Sequence, residues 1–211
     1  EFYRCKYYEQ KFLKRMNKIW AISPNTADRL KTLSNAKVSV MPTIVAEQKN
    51  IFSEKSKNVI FTGLLSWMEN VEGILWFLRN VWDDVVAEHP KATLHIVGQL
   101  PDPEIAKEVL LHKNAELLGF VDDLKTVYKK AALAISPIFI NSGIKVKTLT
   151  YLSYGLPVVS TEVATWGMSS KKGIQVATKS SFASEIKMLL SDGKKRKKLS
   201  KQAQDNISQN H

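Results

Sequence analysis

The sequence predicts an α/β protein: a Rossmann-like, doubly wound parallel sheet preceded by the remnant of another domain. Three observations carry this. From Asn58 onward, short apolar runs of strand length alternate with longer amphipathic runs, the pattern of parallel strands covered by helices on both faces. Those short runs are mostly apolar, as strands of a covered sheet are. One stretch, Asn141 to Ser160, reads as a tight turn, a helix and a buried strand, and the other elements are arranged around it.

Glu1 to Met16 reads as a helix with Phe2, Tyr3, Tyr7, Tyr8, Phe12 and Leu13 near helical spacing among basic residues. Its aromatics could stack on nucleic-acid bases. Such a stripe more often belongs to a core or an interface, and no nucleic acid is expected as a partner. Lys18 to Ile22 is a short strand, Ser23-Pro24 opens a helix ending near Leu33, and Lys37 to Met41 is a second strand. Pro42 to Ser56 is polar and loop-like, so residues 1–42 are read as a domain tail with its linker and 43–211 as the main domain.

In the main domain, Asn58 to Thr62 is a strand ended by Gly63, and a loop with Ser66 and Trp67 follows. Val71 to Glu88 reads as one long helix with a wide apolar face, stopped by His89-Pro90. Thr93 to Val97 is a strand closed by Gly98, and Pro101-Asp102-Pro103 turns into a helix reaching His112. Ala115 to Phe120 is a strand, and Asp122-Asp123 cap a helix to Lys130. The strand Ala131 to Ile135 leads into the central stretch. There Ser142 caps the helix, Gly143 permits the turn, Leu149 and Leu152 face inward, and Gly155 with Pro157 ends it. Val158-Val159 starts the next strand. Ala164 to Met168 is a loop or short helix, and Gly173 to Ala177 is a strand. Ser180 or Ser181 caps Phe182 to Leu190, and Lys194 to Gln209 is a basic final helix.

The 211 residues carry 31 Lys plus Arg against 20 Asp plus Glu, a net charge of +11 that favours anionic partners. The run Lys194-Lys-Arg-Lys-Lys198 is most simply a solvated helix face, with lipid contact as the functional alternative. One cysteine, Cys5, excludes an internal disulfide framework and fits a reducing compartment. No apolar run approaches the ~20 residues of a spanning helix, and no signal peptide is visible. The chain starts at Glu1 within an apparent helix, so a fragment is expected.

A turn that opens a helix at the end of a strand presents unpaired N–H groups and the positive end of a helix dipole. Lys145 and Lys147 stand in the first turns here, where cations are unfavourable unless an anion or a carboxylate answers them. The reading is a phosphate site; the alternative is the solvated first turn of an ordinary βαβ unit. Sheets of this kind bind ligands beyond the carboxyl ends of their strands. Loops 63–70, 98–103, 120–123 and 141–145 would then meet at one crevice.

Other chemistries are missing. There is no Walker loop, no Gly-x-Gly-x-x-Gly after a strand and no Gly-x-Ser-x-Gly elbow. His89, His95, His112 and His211 show no metal-ligand spacing, and His89 and His95 read as structural. No metal site and no catalytic residue is identified.

An ordered set of motifs then resembles a known family. Val59-Ile-Phe-Thr-Gly63, Asn70, Phe77-Leu-Arg-Asn-Val-Trp82, His95-Ile-Val-Gly98 and Gly119-Phe-Val-Asp-Asp123 come first, in that order. Ser142-Gly-Ile-Lys-Val-Lys147 and Gly155-Leu-Pro-Val-Val159 complete it. Together they resemble the C-terminal half of glycosyltransferases of the GT-B fold, group 1, family-4-like. The likeness covers roughly Lys37 to Leu190, and Glu9 to Leu30 resembles the end of the family's N-terminal, acceptor-side domain.

The resemblance implies transfer of a sugar from a nucleotide sugar to a glycan or lipid-linked acceptor in cell-surface polysaccharide synthesis. It implies no metal cofactor. The protein would be cytoplasmic, touching a membrane face through its basic surface. Gly63 and Gly98 would approach the donor, and Val121 would pair with the base by its backbone. Gly143, Ile144, Lys145 and Lys147 would hold the diphosphate. Thr150 stands where the family has a ribose-binding glutamate, Ser142 where another glutamate is usual, and Gln99 where an arginine is usual. A threonine cannot chelate two hydroxyls as a carboxylate does. The alternative implied is a catalytically degenerate domain that binds nucleotide or acts as a scaffold.

Overall fold

The computed structural model describes residues 2–140 and 143–211, and its strands fall into two parallel sheets. Helix α1 (Phe2–Leu13) leads into β1 (Lys18–Ala21), α2 (Pro24–Leu33) and β2 (Lys37–Val40), with β1 paired to β2. Ser23 caps α2 by accepting the Thr26 N–H at 3.1 Å. Tyr3, Tyr7, Tyr8 and Phe12 of α1 are exposed, so these four aromatics are no part of a core among the described residues.

The second sheet holds β3 (Asn58–Thr62), β4 (Thr93–Val97), β5 (Ala115–Gly119), β6 (Ala131–Ser136), β7 (Val158–Ser160) and β8 (Ile174–Val176). Their order is β5-β4-β3-β6-β7-β8, all parallel. The chain builds outward from β3 to β5, returns to the other side of β3, and builds outward again to β8. Strand order therefore reverses between β3 and β6, which opens a crevice beyond their carboxyl ends.

Every residue of β6 is buried, as a central strand covered on both faces requires. Alternate side chains of β3 enter opposite cores: Val59 and Phe61 join Phe77, Trp82 and Phe182, while Ile60 joins Tyr151, Leu152 and Ile207.

The expected long helix 71–88 begins earlier and is interrupted. It comprises α3 (Met68–Phe77), one π-helical segment (Leu78–Trp82) and α4 (Asp83–Glu88). Trp82 is fully buried within that segment and its indole N–H reaches the Lys113 carbonyl at 2.9 Å. Arg79 of the same turn points outward to Glu104 and Glu108. Hydrophobic periodicity does not signal such a one-residue insertion.

The helices α5 (Pro103–Val109) and α6 (Lys125–Tyr128) are shorter than expected. Asp123 answers the Lys125 N–H at 2.9 Å, whereas Asp122 lines a cleft instead of capping. The helix α7 (Val146–Ser153) starts with Lys145 at its cap position; the Ser142 cap expected there lies outside the described residues. Leu149 and Leu152 are fully buried, and Gly155 takes the positive φ of a helix stop, +74°. Residues Val163–Thr165 form a single 3₁₀ turn.

Ser181 precedes α8 (Phe182–Ser191), but its hydroxyl accepts the Thr178 N–H, so it shapes the turn and does not cap the helix. The last helix, α9 (Gly193–Asn210), is capped by Asp192, and its basic run is not wholly solvated. Arg196 is buried, donating to the carbonyls of Leu189, Leu190 and Glu54. The segment between β2 and β3 lies along α9. Asn50 donates to Ser200 and Gln204, Gln204 to the Gln48 carbonyl, and the Val45 N–H to the His211 carbonyl. No helix among the described residues is long and apolar enough to cross a membrane.

Candidate functional site

At the carboxyl ends of β3, β4 and β5 lies a cleft of about 360 Å³, lined by Gly63, Leu64, Gly98, Gln99, Val121 and Asp122 among others. Backbone bonds stitch its walls together. The Gly63 N–H reaches the Val97 carbonyl at 3.0 Å, the Leu65 N–H the Gln99 carbonyl at 3.0 Å, and the Gly98 N–H the Gly119 carbonyl at 2.8 Å. Gly98 is forced by this approach, because a Cβ there would fall on the Gly63 carbonyl oxygen. Three residues expected at a binding crevice, Gly63, Gly98 and Val121, thus meet in one cleft.

The floor toward β6 is a device that sequence reasoning missed. The β3–β6 ladder ends at Ile60 paired with Ala134, so the Thr62 N–H has no strand partner on that side. The Tyr151 hydroxyl of α7 accepts it at 2.7 Å and also meets the Thr62 hydroxyl at 3.0 Å. The Tyr128 hydroxyl lies 3.3 Å from Thr62 Oγ1. Burial pushes the Tyr128 phenol up to about 12 and the Tyr151 phenol higher still, so both stay protonated. The available signal was a tyrosine on the inward face of α7, beside Leu149 and Leu152. A buried hydroxyl there needs a partner.

The two lysines sit at the other wall, and protein groups answer both. Lys145 is buried, with its ammonium 2.9 Å from the Glu69 carboxylate. The Lys147 amine donates to Asn70 Oδ1 at 2.5 Å and lies 4.2 Å from the centre of the Phe61 ring. Glu69 and Asn70 both belong to the first turn of α3, so that turn clamps the start of α7 across the crevice. A phosphate is therefore not needed to explain the lysines. Burial lowers Lys147 to about 7, with Glu69 raising it and Lys145 lowering it. Asn70 reaches the cleft as well, since its Nδ2 donates to the Leu64 carbonyl at 2.9 Å.

Gly143 has a φ of +103°, a conformation that favours glycine, and no described residue comes within 4 Å of where a Cβ would stand. Ile144 packs against the core cluster of α7 and α9 and against Gly167. The Thr150 hydroxyl donates to the Val146 carbonyl one turn back, at 3.0 Å. Gly143, Ile144, Lys145, Lys147 and Thr150 do not line the cleft itself; the structure joins Lys147 to it through Asn70. His89 contacts the Lys187 carbonyl from a helix end, in keeping with a structural role. Among the described residues, no three His, Cys, Asp or Glu side chains are grouped to share a metal ion.

A doubly wound sheet with a glycine-walled cleft at the carboxyl ends of its strands, beside the switch point, defines the class of α/β domains that bind ligands beyond the strand ends. Within that class, the chain belongs to the glycosyl transferases group 1, whose family pattern matches residues 56–192. It is 26% identical over 127 residues to a Klebsiella pneumoniae protein described as an uncharacterized 44.6 kDa protein in the cps region, covering 56% of this chain and 32% of that one. The fold is similar to TarM, with a TM-score of 0.79 at 14% identity over 99% of this chain and 43% of TarM. It is also similar to WaaG, a glycosyltransferase involved in lipopolysaccharide biosynthesis, with a TM-score of 0.68 at 12% identity, 90% of this chain and 58% of WaaG. Anabaena HepE, solved with UDP and glucose, gives a TM-score of 0.68 at 14% identity, 97% of this chain and 64% of HepE. The chain thus spans about a third of the curated relative and under half of TarM.

Proposed function

We propose that this chain carries the donor side of a glycosyltransferase that moves a sugar from a nucleotide sugar to a glycan or lipid-linked acceptor in cell-surface polysaccharide synthesis. The observation that carries the reading is the cleft walled by Gly63, Gly98 and Val121 at the carboxyl ends of β3, β4 and β5, beside the switch point. The K. pneumoniae relative, named for a cps region, supports the polysaccharide context. HepE, solved with UDP and glucose, supports the donor class. In this reading Gly63 and Gly98 admit the donor, Val121 meets the base, and Gly143, Ile144, Lys145 and Lys147 serve the diphosphate. No metal is assigned. Residues 1–42 would belong to the acceptor-side domain and 43–211 to the donor domain, acting at the cytoplasmic face of a membrane.

Isothermal titration with UDP-, GDP- and ADP-sugars tests the donor site. Binding of one class is expected, and a folded sample that binds none overturns the reading. A second reading, a degenerate nucleotide-binding or scaffold domain, is favoured by Thr150, whose hydroxyl donates to its own helix. Thr150→Glu separates the two: a gain in nucleotide affinity without turnover by the full-length protein supports the scaffold.

A further inference from the structure

The Lys147 amine is held in an unusual setting. It is pressed against the Phe61 ring, and the hydrogen-bond acceptor it has among the described residues is a neutral amide oxygen, Asn70 Oδ1. The orientation of that amide is fixed, because its nitrogen donates to the Leu64 carbonyl in the cleft wall. Asn70 itself is wedged in place: a Cβ on Gly63 would stand only 2.9 Å from its Nδ2. One side chain therefore joins the cleft wall to the lysine.

The charged neighbours are Glu69 on α3 and Lys145 before α7, and they are paired with one another at 2.9 Å. Tyr151, one turn along α7, is held neutral by burial. Glu69 favours a charge on Lys147 and Lys145 opposes it, and the hydrogen bond of the amine goes to the neutral Asn70. Burial accordingly brings the Lys147 amine to about 7.

We propose that Asn70 is a positioning residue: it holds the Lys147 amine against Phe61, and an arriving diphosphate draws a proton from solvent onto that amine. The step is a plain protonation. The nitrogen lone pair takes a proton from the buffer, and no bond to the ligand forms or breaks. It rests on the donor-site reading above, and it adds that donor binding is linked to pH through one named amine.

Titration calorimetry of the whole chain with UDP-glucose, GDP-mannose and ADP-glucose, in buffers of different ionisation enthalpy, counts the protons. These diphosphate diesters carry no titrating proton near neutrality, so the count belongs to the protein. With the amine near 7, uptake of about 0.9 proton per donor is expected at pH 8 and about 0.1 at pH 6. Lys147→Arg is expected to bind donor without uptake, since a guanidinium is always charged. Asn70→Asp sets a carboxylate beside the amine and keeps it charged, so uptake should vanish there too, which a purely structural Asn70 would not produce. Donor binding by the native chain without uptake at pH 8, or uptake unchanged in either variant, overturns the inference and leaves the donor site standing. Failure of all three donors to bind overturns the donor-site reading itself.

Discussion

Tyr151→Phe removes a single oxygen from a fully buried position, and its cost can be worked out from the partners that oxygen leaves behind. The Thr62 hydroxyl can turn to Tyr128, whose oxygen lies 3.3 Å away. The Thr62 N–H cannot turn. It points to the side where the β3–β6 ladder has already ended, and Tyr151 is its acceptor at 2.7 Å. A buried N–H left unsatisfied costs about 2 kcal/mol. For a chain of 211 residues that corresponds to a fall in melting temperature of about 4–8 °C. Thermal unfolding followed by far-UV circular dichroism measures it, with urea titration confirming an unchanged m-value. Thr62→Val keeps the N–H and should cost less than Tyr151→Phe. A melting point within about 1 °C of the native protein would refute the claim that Tyr151 replaces a strand partner at this edge.

Three further outcomes follow from the same packing. Gly98→Ala places a methyl on the Gly63 carbonyl oxygen, and a loss of about 3 kcal/mol in urea unfolding, or an insoluble product, is expected. Lys147→Met tests the buried amine through stability. The folded value is lowered to about 7 from 10.5, so between those limits the unfolded chain holds a proton that the folded chain lacks, and native stability rises with pH across that window. The methionine variant lacks this contribution, so relative to it the native protein should gain about 3 kcal/mol between pH 6 and pH 9 by urea titration. Arg196→Lys gives up the fork that joins the Leu189 and Glu54 carbonyls, and a loss of about 2 kcal/mol in the same assay is expected.

The alternation of mostly apolar runs placed the strands of the large sheet, most plainly the central one, because a parallel strand buried on both faces is written as a continuous apolar segment such as Ala131–Ile135. Glycines at strand ends marked the cleft for a similar reason. Gly63 and Gly98 are local necessities of close backbone approach, and a local necessity leaves a local signature. What escaped was what depends on partners distant in sequence. Lys145 and Lys147 looked like cations awaiting an anion, yet Glu69 and Asn70, 76 and 77 residues away, answer them. Arg196 looked like one member of a solvated run, but carbonyls of the linker, 142 and 140 residues away, hold it inside. The π-helical segment at Leu78–Trp82 escaped because an apolar face continues through it without a break.

The strap of residues 43–50 along α9 sets an order of events. Its anchoring bonds join residues 150 to 168 positions apart, among them Asn50 to Ser200 and His211 to Thr43. During synthesis the strap emerges long before the helix that secures it, and such distant closures come late because the intervening loop must first be ordered. A chain stopped before α9 would already possess β3 to β8, while its strap and the side of the sheet that Ala203 and Ile207 cover still lay open to proteases and to other chains. The helix α9 thus fastens a segment that precedes it by some 150 residues, and exposure of that strap reports whether α9 has docked.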